Sequence, residues 1–114
     1  MKLPPDAWRT LYNVADALRP APEGGVAVDL APAVEAGLKS PAEVRALRRT
    51  LRWLEFETRL RRAPVRGFCW LSREERRAAL AQLQRSPFAM RRRAFVRLAA
   101  VVDSALARHS LPGA

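Results

Sequence analysis

The stretch "SPAEVRALRRTLRWLEFETRLRR", residues 40 to 62, decides the fold class. Ser40 is placed to cap a helix, Pro41 occupies its first turn, and Glu43 stands where a capping box returns its bond. The periodicity that follows predicts a helix over 41–62, closed by Pro64. At about 100° per residue, Val44, Leu47, Leu51 and Leu54 share one sector. Trp53, Phe56 and Leu60 share a nearly opposite one. Arg45, Arg48, Arg52 and Arg59 fill the arc between, bordered by Glu55. A helix at the edge of a small domain has one apolar stripe. Two stripes mean either that this helix is central, with the others packed around it, or that one stripe meets a partner.

The flanking sequence repeats the helical signature. Trp8, Leu11, Tyr12, Ala15 and Leu18 recur at three- and four-residue steps, predicting a helix over about 5–19 between Pro4-Pro5 and Pro20. A loop covers 20–28. Asp29 is the expected cap of a short helix to about Leu38, with Val34 and Leu38 inward. "APVRGFCW" at 63–70 reads as irregular or extended. "SREE" at 72–75 is a second capping box, opening a helix to about Gln84. "SPF" at 86–88 opens the last helix, to about 108, with Phe88, Phe95, Leu98, Val102 and Leu106 as its stripe. The reading is an all-α, single compact domain of about five helices over residues 1–114, with a tail at 110–114. At 114 residues such a fold has a core of its own without staples.

The charge is unevenly placed. Sixteen arginines against Glu55, Glu57, Glu74 and Glu75 give residues 45–97 a net charge of +12, while the rest of the chain sums to −2, for +10 in all. Clustered positive charge predicts an acidic partner: nucleic acid, an anionic membrane, or an acidic protein face. The last helix has its own basic face, Arg93, Arg97 and Arg108. Arg91, Arg92 and Arg93 fall where a helix dipole disfavours cations, so a partner or a local carboxylate has to offset them.

Chemistry-bearing motifs are missing. One cysteine, Cys69, allows no internal disulfide, and with one histidine, His109, it is a poor basis for a metal site or nucleophile–base pair. Cys69 reads as a small buried residue and His109 as a C-terminal dipole partner or a solvated side chain. Asp6, Asp16, Asp29 and Glu35 read as helix-start or surface residues. No glycine-rich phosphate loop or acid–base couple stands out. The chain opens "MKLPPDAW", without an apolar run or twin arginines, and its longest apolar stretch, "LAAVVDSALA", is short and broken by Asp103. The expectations are no catalytic, cofactor-binding or metal residues, no membrane span, and a cytoplasmic location, periplasmic only if an exported partner carries it.

Four segments in order, "LYNVADALRP" (11–20), "DLAPAVEAGL" (29–38), "GFCWLSREERRAALAQLQRSP" (67–87) and "RRAFVRLAAVV" (92–102), carry a resemblance. Over roughly residues 8 to 102 the chain resembles the gluconate 2-dehydrogenase subunit 3 family. These are small gamma-type subunits of FAD-dependent dehydrogenases of the glucose–methanol–choline type, and a similar segment precedes the catalytic domain of some long-chain alcohol oxidases. The chain departs from the family in that its last helix ends "VVDSALARH" and not in the aromatic-rich ending common there, and "MKLPPDAW" gives no expectation of the twin-arginine export signal that many members carry. The resemblance implies a non-catalytic accessory subunit that supports folding, stability or export of a large flavoprotein, with FAD in the partner and no cofactor of its own. Trp53, Phe56, Leu60, Phe68 and Trp70 are then the candidate interface residues. Arg49, Arg52, Arg93 and Arg97 would pair with an acidic face. A basic helical nucleic-acid-binding protein is the alternative, and a membrane-surface role ranks below both.

Overall fold

In the computed structural model, which describes residues 3–19, 30–61 and 67–110, the chain forms five α-helices and one turn of 3-10 helix. These are α1 (Pro5–Leu18), α2 (Ala31–Gly37), α3 (Pro41–Arg61), a 3-10 turn (Phe68–Trp70), α4 (Arg73–Gln84) and α5 (Ala89–Ser110). No strand occurs among the described residues, and the fold is all-α.

The ends of the helices follow local chemistry. Pro5 starts α1, where its missing N–H costs nothing, and the Arg19 N–H closes the helix on the Ala15 carbonyl at 2.8 Å. The box at α4 is complete: Glu75 N–H donates to Ser72 Oγ at 3.2 Å, and Ser72 N–H donates to Glu75 Oε1 at 3.0 Å. The box at α3 is displaced by one residue. Glu43 N–H donates to Ser40 Oγ at 3.2 Å, but the Glu43 carboxylate receives the Lys39 N–H instead of that of Ser40. Helix α2 is capped by Leu30, with no side-chain bond. The expected Asp29 cap lies outside the described residues, as do the His109 side chain and the segments 20–29, 62–66 and 111–114.

The centre of the domain is α1, not α3. Val14, Ala15, Asp16 and Ala17 are all buried, and four consecutive residues span a full turn, so α1 is covered on every side there. It packs on α3, α4, α5 and the 3-10 turn. Its small residues, Ala7, Thr10, Ala15 and Ala17, let those neighbours close in, while Trp8, Tyr12 and Leu18 pack partly buried against the core. Helix α3 buries a single stripe, Leu47, Leu51, Leu54 and Thr58, against α1 and the 3-10 turn. It is an edge helix, and its second apolar stripe is therefore not explained by burial on all sides. Helix α5 seals the far side through Ala94, Leu98, Val102 and Ala105. Phe88, expected in that stripe, is instead exposed, because α5 begins one residue after it.

Two interhelical ion pairs reach into the interior. Asp16, read from the sequence as a helix-start or surface residue, is 7% exposed and accepts from Arg73 Nε at 2.9 Å, with Arg76 Nη1 at 3.7 Å. Glu57 accepts from Arg91 Nη2 at 2.7 Å. This is the local carboxylate that the arginine run required; Arg92 in turn donates to the Ser86 carbonyl at 2.8 Å.

Candidate functional site

The outer faces of α3 carry what the core does not take. Phe56 is 60% exposed and Leu60 70%, one turn apart on the same side. Trp53 sits between the two situations, half-buried and packed against the edge of the core. The 3-10 turn separates the remaining aromatic pair. Phe68 is 0% exposed and belongs to the core, whereas Trp70 is 72% exposed. Phe68 is thus removed from the candidate interface. A turn this tight rotates successive side chains by about 120°, so two aromatics two positions apart point in different directions.

Three shallow clefts join these side chains into one belt. The first, about 400 Å³, lies where α3 meets α1 and the 3-10 turn; Phe56, Trp70, Arg9, Arg52 and Arg59 are among its walls. The second, about 580 Å³, runs along α3 between Arg45, Arg48, Arg49, Arg52, Trp53 and Phe56. The third, about 290 Å³, separates α3 from α5: Ala46, Arg49, Thr50 and Trp53 face Met90, Arg93, Ala94 and Arg97. The first two share Arg52 and Phe56, and the last two share Arg49 and Trp53. Seven of the nine residues expected from the sequence line this belt. Leu60 is exposed near its end, and only Phe68 is excluded.

The electrostatics of the belt change along its length. No carboxylate lines the second or third cleft, and Arg45, Arg48, Arg49, Arg52, Arg93 and Arg97 have no ion-pair partner among the described residues. The arginines elsewhere that face carboxylates are already engaged, as Arg73, Arg76 and Arg91 are. Arg45, Arg48, Met90, Ala46 and Thr50 were not among the expected interface residues. The spacing 46, 50, 53 on one side of α3 was a readable signal, but its partner surface on α5 was not.

The first cleft holds the chain's one thiol in a small polar network. Glu55 accepts from Thr10 Oγ1 at 2.9 Å, from Cys69 Sγ at 3.0 Å and from Cys69 N–H at 3.4 Å. A Cβ at Gly67 would meet the Glu55 carboxylate, so a side chain there would push that carboxylate aside. Burial, and then the hydrogen bond to Glu55, push the Cys69 thiol up from its ordinary 9.0. At neutral pH it is a protonated hydrogen-bond donor and not an activated nucleophile. The rate of iodoacetamide alkylation should therefore rise with pH along a curve displaced above that of the unfolded chain. The Glu55→Gln variant should move it back down. A native curve lying at or below the unfolded one would contradict this arrangement.

Among the described residues, no group of three His, Cys, Asp or Glu side chains is placed to hold a metal ion. No described helix is long and apolar enough to cross a membrane. Compared with known proteins, the chain matches no protein family, no curated sequence and no solved structure.

Proposed function

We propose that the chain is a non-catalytic accessory subunit that binds and stabilises a large FAD-dependent oxidoreductase of the glucose–methanol–choline type. One observation carries the binding role: an edge helix whose aromatic and aliphatic side chains, Phe56, Leu60 and the neighbouring Trp70, lie uncovered, with Phe56 beside Arg45, Arg48, Arg49 and Arg52, four arginines that have no ion-pair partner among the described residues. Exposed apolar groups scattered singly are ordinary, whereas a connected set flanked by arginine has the composition of a buried interface centre. The sequence resemblance over residues 8 to 102 is what supports this choice of partner. The flavin belongs to that partner, and this chain contributes surface.

Co-expression with candidate FAD-dependent oxidoreductases of the glucose–methanol–choline type from the same source, followed by purification through a tag on this chain, tests the proposal. A yellow flavoprotein should accompany the chain at moderate salt; its absence refutes the reading. Phe56→Ala and Trp70→Ala should each leave the isolated chain's stability within about 0.5 kcal/mol, since both side chains are mostly exposed. Each should weaken the complex by roughly 2 kcal/mol, about 30-fold, if it anchors the interface.

A second reading has its own observation. Arg45, Arg48, Arg49 and Arg52 fall on successive turns with no carboxylate in their cleft, a backbone-like spacing of positive charge. A nucleic-acid-binding protein would bind duplex DNA with an affinity that falls steeply as salt rises. An accessory subunit held by aromatic burial should bind little DNA at about 0.15 M salt.

A further inference from the structure

We infer that the groove between α3 and α5 is the seat of one acidic amphipathic helix of the partner; the partner's identity rests on the accessory-subunit reading, the groove's chemistry does not. The two walls match. Ala46, Arg49, Thr50 and Trp53 on α3, and Met90, Arg93, Ala94 and Arg97 on α5, each follow the spacing i, i+3, i+4, i+7. Seven residues of helix span about 10 Å, two turns, which is the length over which a third helix lays down its own apolar stripe. Ala46, Thr50 and Ala94 are small, so a backbone can approach closely. Trp53 and Met90 supply the large apolar contacts. Glu57 lies one turn beyond Trp53, and Arg91 is adjacent to Met90, so their 2.7 Å ion pair fastens the two helices at one end of the groove.

Charge selects the occupant. The rim is Arg49, Arg93 and Arg97, continued by Arg45, Arg48 and Arg52, with no carboxylate lining either cleft. A helix with glutamate or aspartate flanking its apolar stripe satisfies rim and floor together. A nucleic-acid backbone satisfies the rim and leaves Trp53 and Met90 unused.

The probe is a synthetic helix of about 14 residues, with leucine at i, i+3, i+4 and i+7 and glutamate and alanine elsewhere. Its controls are the same composition with the leucines scrambled, a version with lysine replacing glutamate, and a short DNA duplex. Binding is followed by amide chemical shifts of the full chain at about 0.15 M salt. The largest shifts should fall on Ala46, Thr50, Trp53, Met90 and Ala94. Scrambling, charge inversion, Arg93→Glu with Arg97→Glu, and Ala46→Arg, which fills an exposed position, should each weaken binding at least about 10-fold. The inference is overturned if the scrambled peptide binds within about 2-fold of the designed one, if the shifts centre on Trp70, or if the duplex binds these residues more tightly at the same salt. The same arginine variants, carried through the flavoprotein co-purification, separate the two ideas. A flavoprotein retained undiminished by Arg93→Glu with Arg97→Glu refutes the groove and leaves the accessory reading standing. A wild-type chain that binds the peptide but brings down no flavoprotein refutes the accessory reading and supports the groove.

Discussion

Phe68→Ala is expected to cost about 3–5 kcal/mol, the range for removing a fully buried phenyl ring and leaving its cavity. The ring is 0% exposed, and the 3-10 turn that carries it packs on both α1 and α3. Nothing else in that turn can refill the space: Trp70 points outward and Cys69 is held by Glu55. A domain of this size has a total stability of roughly 5–15 kcal/mol, so the loss is a large fraction of it. Thermal unfolding followed by circular dichroism should show the midpoint falling by more than about 10 °C. Trp70→Ala, two residues away, should shift it by only a few degrees. If the two variants melt alike, the assignment of Phe68 to the core and Trp70 to the surface is wrong.

The second large effect concerns Glu57 and Arg91. Their side chains are 14% and 11% exposed, and Arg91 has a buried Nε with no partner, so its guanidinium depends on Glu57 and on Ser86 Oγ at 3.3 Å. Glu57→Ala leaves that cation desolvated and should cost about 3 kcal/mol. Arg61, which also touches Glu57 at 2.9 Å, is half exposed and returns to water without loss. Glu57→Leu combined with Arg91→Met replaces the pair by apolar volume and should restore most of the stability, a coupling of about 2 kcal/mol. Chemical denaturation of the four chains of the cycle measures it. Additive losses would show that the pair does not fasten α3 to α5, and would remove one support of the groove.

Much of the fold was legible before any coordinate. Proline and serine punctuation sets where α1, α3 and α4 begin, because capping is settled by neighbours within four residues. The expected start at 41 is the observed one for the same reason, and the helix is described as far as Arg61, where the described residues stop. The candidate surface was legible in part. Opposed stripes on α3 marked Trp53, Phe56 and Leu60, and the arginine rows marked Arg49 and Arg52. Met90 was not readable: a methionine near a helix start has no local feature that distinguishes core from groove.

Local sequence settles helical identity, the starts of α1, α3 and α4, and the concentration of positive charge on the middle and later helices. Each depends on contacts a few residues apart along the chain. Tertiary structure alone decided that α1 is the hub and α3 the edge, that Phe68 goes in while Trp70 stays out, and that Asp16 and Glu57 are interior anions. Burial is a property of which elements meet, and residues 57 and 91 or 16 and 73 become neighbours only when whole helices pack. Apolar side chains are nearly interchangeable in their demand for cover, so a two-striped helix states that two faces want covering and leaves the packing of α1 to choose the one the domain covers itself.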